Sequence, residues 1–508
     1  MPPEASRGMT LAELQSSGVG GRIAGSATQA VGGVQHDSRQ VTGGDLFVAV
    51  PGETHDGVSF VSDALERGAV AVMAEQPLAL GIPQLTVPDA RIGLGRAAEL
   101  VYGGPTSVLH TVGITGTNGK TTTAYLVKQA LDGVSATPAL VGTTGLMVAG
   151  AERPSLHTTP EADDISRFAR QALDAGATHL VLEVSSHGLA MHRVDALDFE
   201  VAAFTNLSRD HLDFHESMEL YGEAKARLFT ELAPKHAVIH VDDPYGAEVA
   251  ARLPGPVIRC SRRQGSDAEV VAIEWSATRD GIHARVQTPA GSVELRSPML
   301  GEHNLENLLV ALGCAYALGL ELNVVAKAWE SAAGSPGRLE RIAHPHDVAV
   351  LVDYAHTPDA LRRVLETMRA LTPNRLIVVF GAGGDRDRGK RPEMGRVGVQ
   401  RADLCVLTSD NPRTEDPQRI LDEVEAGAKQ VGGARIEPGA LPDASAGYCA
   451  LIDRREAIEA AIGAAAPGDT VLLAGKGHEI YQIIGTERTH FDDREEARAA
   501  IASVAGRV

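Results

Sequence analysis

Apolar residues along this chain gather into short β-type runs that alternate with stretches of helical period. One series of runs lies at 109–115, 180–184, 199–204 and 236–241, and a second at 348–353, 376–380, 404–408 and 470–474. Strands alternating with helices predict right-handed βαβ units and parallel sheets. Thr357-Pro-Asp-Ala supplies an N-cap with proline at N1, after which Leu361, Val364, Leu365 and Met368 recur at helical spacing. Met218 to Phe229 reads as a helix capped by Ser217, and by period alone its Lys225 falls on a polar, solvated face. Residues 1 to 107 differ. They lack helix-rich periodicity and carry short strand-like runs such as Asp45 to Val50, bracketed by Thr42-Gly-Gly and Pro51-Gly52. Gly103-Gly-Pro-Thr-Ser107 has the composition of a linker, and Gly334-Ser-Pro-Gly337 marks a second boundary.

In a parallel sheet, ligands collect beyond the carboxyl ends of the strands, and polar sequence follows each run here. The run ending at Ile114 feeds Thr115-Gly-Thr-Asn-Gly-Lys-Thr-Thr122, which opens a helix near Lys120. Backbone N–H groups of such a loop, with the helix dipole behind them, form a phosphate site. Lys120 is placed to reach the β/γ-phosphates and the Thr121 hydroxyl to hold Mg²⁺. The match to G-x-x-x-x-G-K-[ST] is incomplete, because Ile114 occupies the first glycine position. Further strand ends carry Glu183 with Ser185-Ser-His-Gly188, Thr205-Asn-Leu-Ser-Arg-Asp-His211, and His240-Val-Asp-Asp243. A glutamate at the end of an apolar strand is expensive to bury unless paired or ligating a metal. Beside a phosphate loop, Glu183 therefore points to Mg²⁺. His211, on the same sheet edge, is a second candidate ligand.

The second series ends in Asp353-Tyr-Ala-His356, Gly381-Ala-Gly-Gly-Asp-Arg-Asp387, Ser409-Asp-Asn-Pro-Arg413 and Gly475-Lys-Gly-His-Glu479. Gly381-Ala-Gly-Gly imitates part of a dinucleotide fingerprint, but G-x-G-x-x-G is not matched and NAD binding is rejected. The dense Asp, Arg and Lys content suits a charged zwitterion. The predicted class is α/β with three domains: a small N-terminal α/β domain (1–107), a central P-loop parallel-sheet ATPase domain (108–335) and a C-terminal Rossmann-like domain (336–508).

Composition narrows the functions. The 47 basic and 66 acidic residues give a net charge of −19, which disfavours nucleic-acid and membrane-surface binding. Four scattered cysteines (Cys260, Cys314, Cys405, Cys449) show no CxxC or metal-like spacing and read as buried thiols of a reducing cytosol. No basic-then-apolar leader and no run of about 18 apolar residues is present. The expectation is a cytoplasmic monomer acting on small molecules, without nucleic-acid partner or membrane insertion.

Gly116-Thr-Asn-Gly-Lys-Thr-Thr122, Glu183-Val-Ser-Ser-His-Gly188, Thr205 to His211, Asp353-Tyr-Ala-His-Thr-Pro358 and Asp410-Asn-Pro-Arg413, in this order, resemble the Mur ligase family. These are ATP-dependent amide-bond-forming enzymes of peptidoglycan precursor synthesis. The resemblance runs from Asp37-Ser-Arg39 to Gly475-Lys-Gly-His-Glu479 and is nearest to the member that adds the third residue of the peptide. It implies addition of meso-diaminopimelate to the D-glutamate side-chain carboxylate of UDP-N-acetylmuramoyl-L-alanyl-D-glutamate, through an acyl phosphate. The same ligation with L-lysine or another diamino acid, or a related superfamily ligase, is the alternative. A nucleotide-driven switch is a third reading, for which a Glu183/His211/Lys225 set is superfluous.

On this resemblance Ser38, Thr54 and His55 lie at the uridine end, residues that spacing alone would leave as ordinary turn residues. Thr158, Thr159, Ser185 and Arg193 hold the rest of the UDP-substrate. ATP is bound by Gly116, Thr117, Asn118, Gly119, Lys120, Thr121 and Thr122, with Asn304, Asn307, Arg338 and Asp353. Lys120, Glu183, His211 and Lys225 are the catalytic set. Lys225 matches the lysine that the family carbamylates, so that Thr121, Glu183, His211 and the Lys225 carbamate surround Mg²⁺. Diaminopimelate falls to Arg391, Asp410, Asn411, Pro412, Arg413, Gly475 and Glu479. Two positions depart from the family pattern: Met191 stands where relatives often carry glutamine, and His303 replaces a common phenylalanine.

Overall fold

A computed structural model of the protein describes residues 8–52, 56–332 and 334–505. The chain divides into two compact units. The first runs to Trp275 and includes Ala284–Arg296 and His303–Glu330; the second comprises Ser276–His283, Ser297–Glu302 and the chain from Ser331 onward.

Within the first unit, a five-stranded sheet comes first, ordered Arg22–Ala24, Gln84–Thr86, Ala71–Ala74, Asp45–Val48, Gly33–Gln35. Its first strand is antiparallel and the others parallel. Helix Ala90–Val101, N-capped by Asp89, buries Leu94, Ala97 and Ala98 against this sheet. The sequence reading missed this helix, because Gly93 and Gly95 interrupt its apolar stripe. Those glycines have a packing reason: a Cβ on Gly95 would lie 3.4 Å from Ala162 Cβ of helix Ala162–Asp174, the close approach that joins this sheet to the next. The supposed linker is also structured. Pro105–Val108 forms a helical turn whose Pro105 and Thr106 are buried.

The larger sheet has its parallel core in the order Pro138–Gly142, His179–Glu183, His110–Thr115, Val201–Phe204, His236–His240, Val257–Ser261. Each interior strand is apolar on both faces, as a sheet covered by helices requires. Strand His110–Thr115 lies between His179–Glu183 and Val201–Phe204. The three most polar strand ends are therefore neighbours at one edge. Strands Val270–Thr278, Gly281–Thr288 and Gly291–Ser297 at one edge, with Gly145–Val148 and Ala151–Arg153 at the other, extend this sheet to eleven strands. Gly281–Thr288 and Gly291–Ser297 alternate buried and exposed residues, a two-residue period that the search for continuous apolar runs passed over.

The second unit holds a six-stranded sheet ordered Glu340–Ile342, Ala349–Asp353, Thr470–Ala474, Leu376–Ala382, Leu404–Ser409, Gly447–Ala450, parallel except for its first strand. Helices Pro358–Leu371, Lys390–Arg401 and Pro417–Gln430 cover one face, and Arg454–Ala464 and Asp493–Ala505 the other. Thr357 caps its helix as expected, accepting from Ala360 N–H at 3.3 Å, and Leu361, Val364, Leu365 and Met368 are buried. All four cysteines are free and buried. Among the described residues no helix is long and apolar enough to cross a membrane.

Candidate active site

The loop between strand His110–Thr115 and helix Lys120–Gly133 turns on two glycines, Gly116 (φ 146°) and Gly119 (φ 86°). A side chain at either is excluded on contact grounds as well: a Cβ would lie 1.9 Å from Thr205 Oγ1 at Gly116 and 2.3 Å from Asn307 Oδ1 at Gly119. The segment after strand Val201–Phe204 pins this loop. Thr205 Oγ1 donates to Asn118 O at 2.6 Å, Thr117 N–H donates to Asn206 O at 2.8 Å, and Asn118 N–H donates to Asn206 Oδ1 at 3.0 Å. Helix Glu302–Ala317 supplies buried Asn304 and Asn307, joined at 3.0 Å. Thr122 is buried in the first helical turn.

Lys120 Nζ curls back to donate to Gly116 O at 2.8 Å and Thr117 O at 2.9 Å. A second amine reaches the same carbonyl: Lys225 Nζ donates to Gly116 O at 2.9 Å and stands 4.3 Å over the Tyr221 ring. Lys225 is only 1% exposed. The solvated position that helical period assigned it is not the one it occupies. Helix Met218–Thr230 turns Tyr221, Lys225 and Leu228 inward together, which is the i, i+4, i+7 spacing of a buried stripe. Burial, reinforced by the charge of Lys120 and only partly opposed by Asp210, holds the Lys225 amine well below the ordinary lysine range.

Glu183 is 1% exposed. Its carboxylate accepts from Thr121 Oγ1 at 2.8 Å, Thr143 N–H at 2.9 Å and Thr143 Oγ1 at 3.2 Å. The Glu183 carboxylate with the Thr121 and Thr143 hydroxyls, beside the first turn of helix Lys120–Gly133, forms an oxygen-rich set suited to a hard divalent cation. His211 is half exposed in a ring cluster, 4.8 Å from His187 and 6.2 Å from Tyr221. Its link to the loop runs through Tyr221, whose hydroxyl lies 3.1 Å from Thr117 Oγ1.

Of the remaining candidates of this unit, Thr158, Thr159 and Ser185 lie near Glu183. Thr158 Oγ1 lies 3.1 Å from Thr143 Oγ1, and Thr159 Oγ1 donates to Glu183 O at 2.8 Å. Ser185 is committed as a helix cap, accepting from Gly188 N–H at 3.0 Å. Arg193, 8% exposed, donates to Thr159 O at 2.9 Å and pairs with Glu161 at 2.7 Å. Ser38 is buried in a short turn beside Asp37, whose carboxylate is paired with Arg39 at 2.9 Å. Thr54 and His55 lie outside the described residues. Met191 ends helix Ser186–Ala190, and His303 is exposed.

In the second unit, Asp353 accepts from Leu339 and Ala355 N–H at 2.9 Å each, and the Arg338 guanidinium lies 4.9 Å over the Tyr354 ring. Asp410 and Asn411 are buried, Pro412 packs beside them, and Arg413 is half buried (φ 53°) with Nη1 donating to Gly384 O at 2.8 Å. Gly475 (φ 117°) begins the neighbouring loop, where Glu479 accepts from Asn411 Nδ2 at 2.9 Å.

Arg391 is held by acidic partners. Its guanidinium is fully buried, paired with Glu415 at 2.7 Å and Glu423 at 2.8 Å, and donates to Gly383 O at 3.2 Å. The two glutamates lie 24 and 32 residues downstream. Lys476 went unremarked in the sequence. It is fully buried, 3.2 Å from Glu479, 3.3 Å from Asn411 Oδ1 and 3.5 Å from Asp410. A lysine between two glycines directly after a buried strand was the signal.

Comparison with known proteins bears on this arrangement. Residues 30–101 match the Mur ligase family catalytic domain, 114–315 the Mur ligase middle domain and 337–477 the Mur ligase glutamate ligase domain. A protein of Geobacter metallireducens named UDP-N-acetylmuramoyl-L-alanyl-D-glutamate–2,6-diaminopimelate ligase is 45% identical, covering 95% of this chain and 96% of its own. The chain belongs to the Mur ligase family. A Geobacillus thermodenitrificans ligase of the same name is 42% identical over 92% of the chain and 94% of its own length. A solved structure of a protein so named superposes with a TM-score of 0.72 at 35% identity, over 98% of this chain and 99% of that one. A D-alanyl-D-alanyl-adding ligase from Acinetobacter baumannii shares the Mur ligase fold, with a TM-score of 0.63 at 20% identity.

Proposed function

We propose that this Mur ligase joins meso-diaminopimelate to the D-glutamate side chain of UDP-N-acetylmuramoyl-L-alanyl-D-glutamate, with ATP cleaved to ADP and phosphate. The observation that carries the reading is the meeting of Lys120 and Lys225 at one carbonyl, Gly116 O, beside the buried Glu183 carboxylate.

A carboxylate resists amines because amide formation would have to expel oxide. Transfer of the γ-phosphoryl to a D-glutamate oxygen gives an acyl phosphate and ADP. The diaminopimelate amine then attacks the carbonyl carbon, loses a proton, and phosphate leaves. The protein's work is positioning and charge stabilisation. The Gly116–Gly119 loop cradles the phosphates, and Lys120, released from Gly116 O and Thr117 O, follows the charge onto the transferring group. Within the first unit Asn304 and Asn307 flank the nucleotide; Arg338 and Asp353 keep the nucleotide role that the family resemblance gives them. Thr158, Thr159 and Arg193 hold the dipeptide end, and Ser38 the uridine end.

Magnesium fits the donors around Glu183. Thr121, Glu183 and a carbamate on Lys225 would hold it, and when bound it neutralises phosphate charge. The lowered pKa of Lys225 favours the neutral amine, the form that adds to carbon dioxide, and the carbamate product turns a cation into an oxygen donor. His211 stands at the rim of this set. For the amino acid, Arg413 offers a planar fork to the distal carboxylate, which lysine lacks; Asp410, Asn411, Gly475 and Glu479 take the other end. The reaction is tested by ADP release that requires both UDP-dipeptide and diaminopimelate. ADP release independent of either would favour a nucleotide switch.

A further inference from the structure

We infer that the buried ion pair Arg454–Asp493 positions the incoming amino acid, by setting the separation of the two loops that receive it. The inference rests on the assignment of Asp410–Arg413 and Gly475–Glu479 to the amino-acid site.

Arg454 is the first residue of helix Arg454–Ala464, and Asp493 the first of helix Asp493–Ala505. Both side chains are fully buried. They meet through two parallel hydrogen bonds, Nε to Oδ1 at 2.7 Å and Nη2 to Oδ2 at 2.6 Å. The remaining donors of the guanidinium turn to the sheet: Nη2 donates to Ala474 O at 3.0 Å and Nη1 to Ser409 O at 3.4 Å. Ser409 and Ala474 are the last residues of their strands. The next residue in each case is the first of an amino-acid loop, Asp410 in one and Gly475 in the other.

These two strands are not neighbours. Leu376–Ala382 lies between them, so their ends stand roughly 9–10 Å apart. No ladder hydrogen bond joins them directly. The pairing of Leu376–Ala382 with Thr470–Ala474 runs only as far as Val379 opposite Leu473, whereas its pairing with Leu404–Ser409 continues to Ala382 opposite Ser409. One strand end is thus fixed by the central strand, and the other only by its outer neighbour, where Ala474 lies opposite Asp353 and Gly475 N–H donates to Asp353 O at 3.0 Å. Arg454 spans this gap from below. Above it, Lys476 touches Asp410, Asn411 and Glu479 and joins the same two loops.

An arginine is required by the geometry. Four acceptors on three segments are met by one planar, fixed fork; a lysine ammonium at this position could keep Asp493 but not both carbonyls. A buried pair of this kind is a weak source of stability. Breaking it strands a charge, whereas replacing both partners with apolar residues is often neutral. That asymmetry separates positioning from mere support of the fold.

The test uses the full-length enzyme and its ligation assay, with KM measured separately for ATP, UDP-dipeptide and meso-diaminopimelate, and thermal unfolding alongside. In Arg454→Lys, and in the double variant Arg454→Met/Asp493→Leu, KM for diaminopimelate is expected to rise roughly 10- to 100-fold, as a displacement of about 1 Å in a positioning element does. KM for ATP and for UDP-dipeptide stays near the wild-type value, and the double variant unfolds near the wild-type temperature. An unchanged diaminopimelate KM in either folded variant overturns the inference. So does its recovery in the double variant together with stability, or a parallel loss in all three substrates. A wild-type enzyme that ligates no diamino acid overturns the underlying assignment first, and that result is visible before any variant is made.

Discussion

Replacing Lys225 by methionine separates stability from catalysis at this site. The alkyl stem keeps its place in the buried stripe with Tyr221 and Leu228. What is lost is one hydrogen bond to Gly116 O, 2.9 Å long, and the amine's contact with the Tyr221 ring, each a net contribution of about 1 kcal/mol. Against this, an amine that is 1% exposed and repelled by Lys120 no longer has to be desolvated. The two effects oppose each other, so Lys225→Met is expected to unfold within a few degrees of the wild type. Turnover behaves differently. Losing the carbamate removes an oxygen donor that would hold magnesium at the phosphates, and with it charge stabilisation worth about 10²–10³ in kcat, or roughly 3–4 kcal/mol. The assay is ADP release in the presence of all substrates, paired with thermal unfolding. Carbon-13 NMR with labelled bicarbonate adds a carbamate signal expected in the wild type and absent from the variant. Turnover within about threefold of wild type, or an activity loss that merely follows unfolding, would refute the reasoning.

Lys120→Ala should lose about 10²–10³ in rate with the fold intact, because the cation that follows the γ-phosphoryl is gone; wild-type-like turnover would reject the phosphate-loop assignment. Arg413→Ala should lower kcat/KM for meso-diaminopimelate by an amount equivalent to about 2–5 kcal/mol while leaving lysine nearly unchanged; equal losses for both amino acids in a competition assay would contradict this. Burial alone would lower the pKa of His36, but its hydrogen bond and charge pairing with buried Asp163 (2.8 Å), with Asp164 and Glu161 nearby, raise it from 6.5 to about 9. The protonated pair therefore stabilises the fold fully below pH 6.5 and loses that contribution as pH rises through about 9, an effect on the order of 3 kcal/mol. His36→Gln should abolish this fall in unfolding temperature, and an unaltered pH profile in the variant would show the pair to be inert.

The parts of this protein legible from sequence are those where local chemistry and fold agree. Strand Leu404–Ser409 is a continuous apolar run ending in polar residues, and a buried parallel strand with a ligand loop has no other signature. The phosphate loop was readable despite Ile114, because Gly116 and Gly119 carry the positive φ angles the turn needs. Where distant partners decide, the pattern was silent. Lys225 reads as surface until Tyr221 and Gly116 O are seen around it. The spacing around Arg391 does not show that Glu415 and Glu423 pair with it. Arg454 sits in an ordinary helix start, and only the sheet order reveals that it spans two non-adjacent strands.

The most direct test of the function is ligation by the purified protein, supplied with ATP, Mg²⁺, UDP-N-acetylmuramoyl-L-alanyl-D-glutamate and either meso-diaminopimelate or L-lysine, with the nucleotide product weighed by mass spectrometry. The account predicts a UDP-tripeptide carrying diaminopimelate, one ADP released per amide formed, and kcat/KM for diaminopimelate roughly 30- to several-thousand-fold above that for lysine. Comparable kcat/KM for the two amino acids, or ADP release without any new amide, would contradict it.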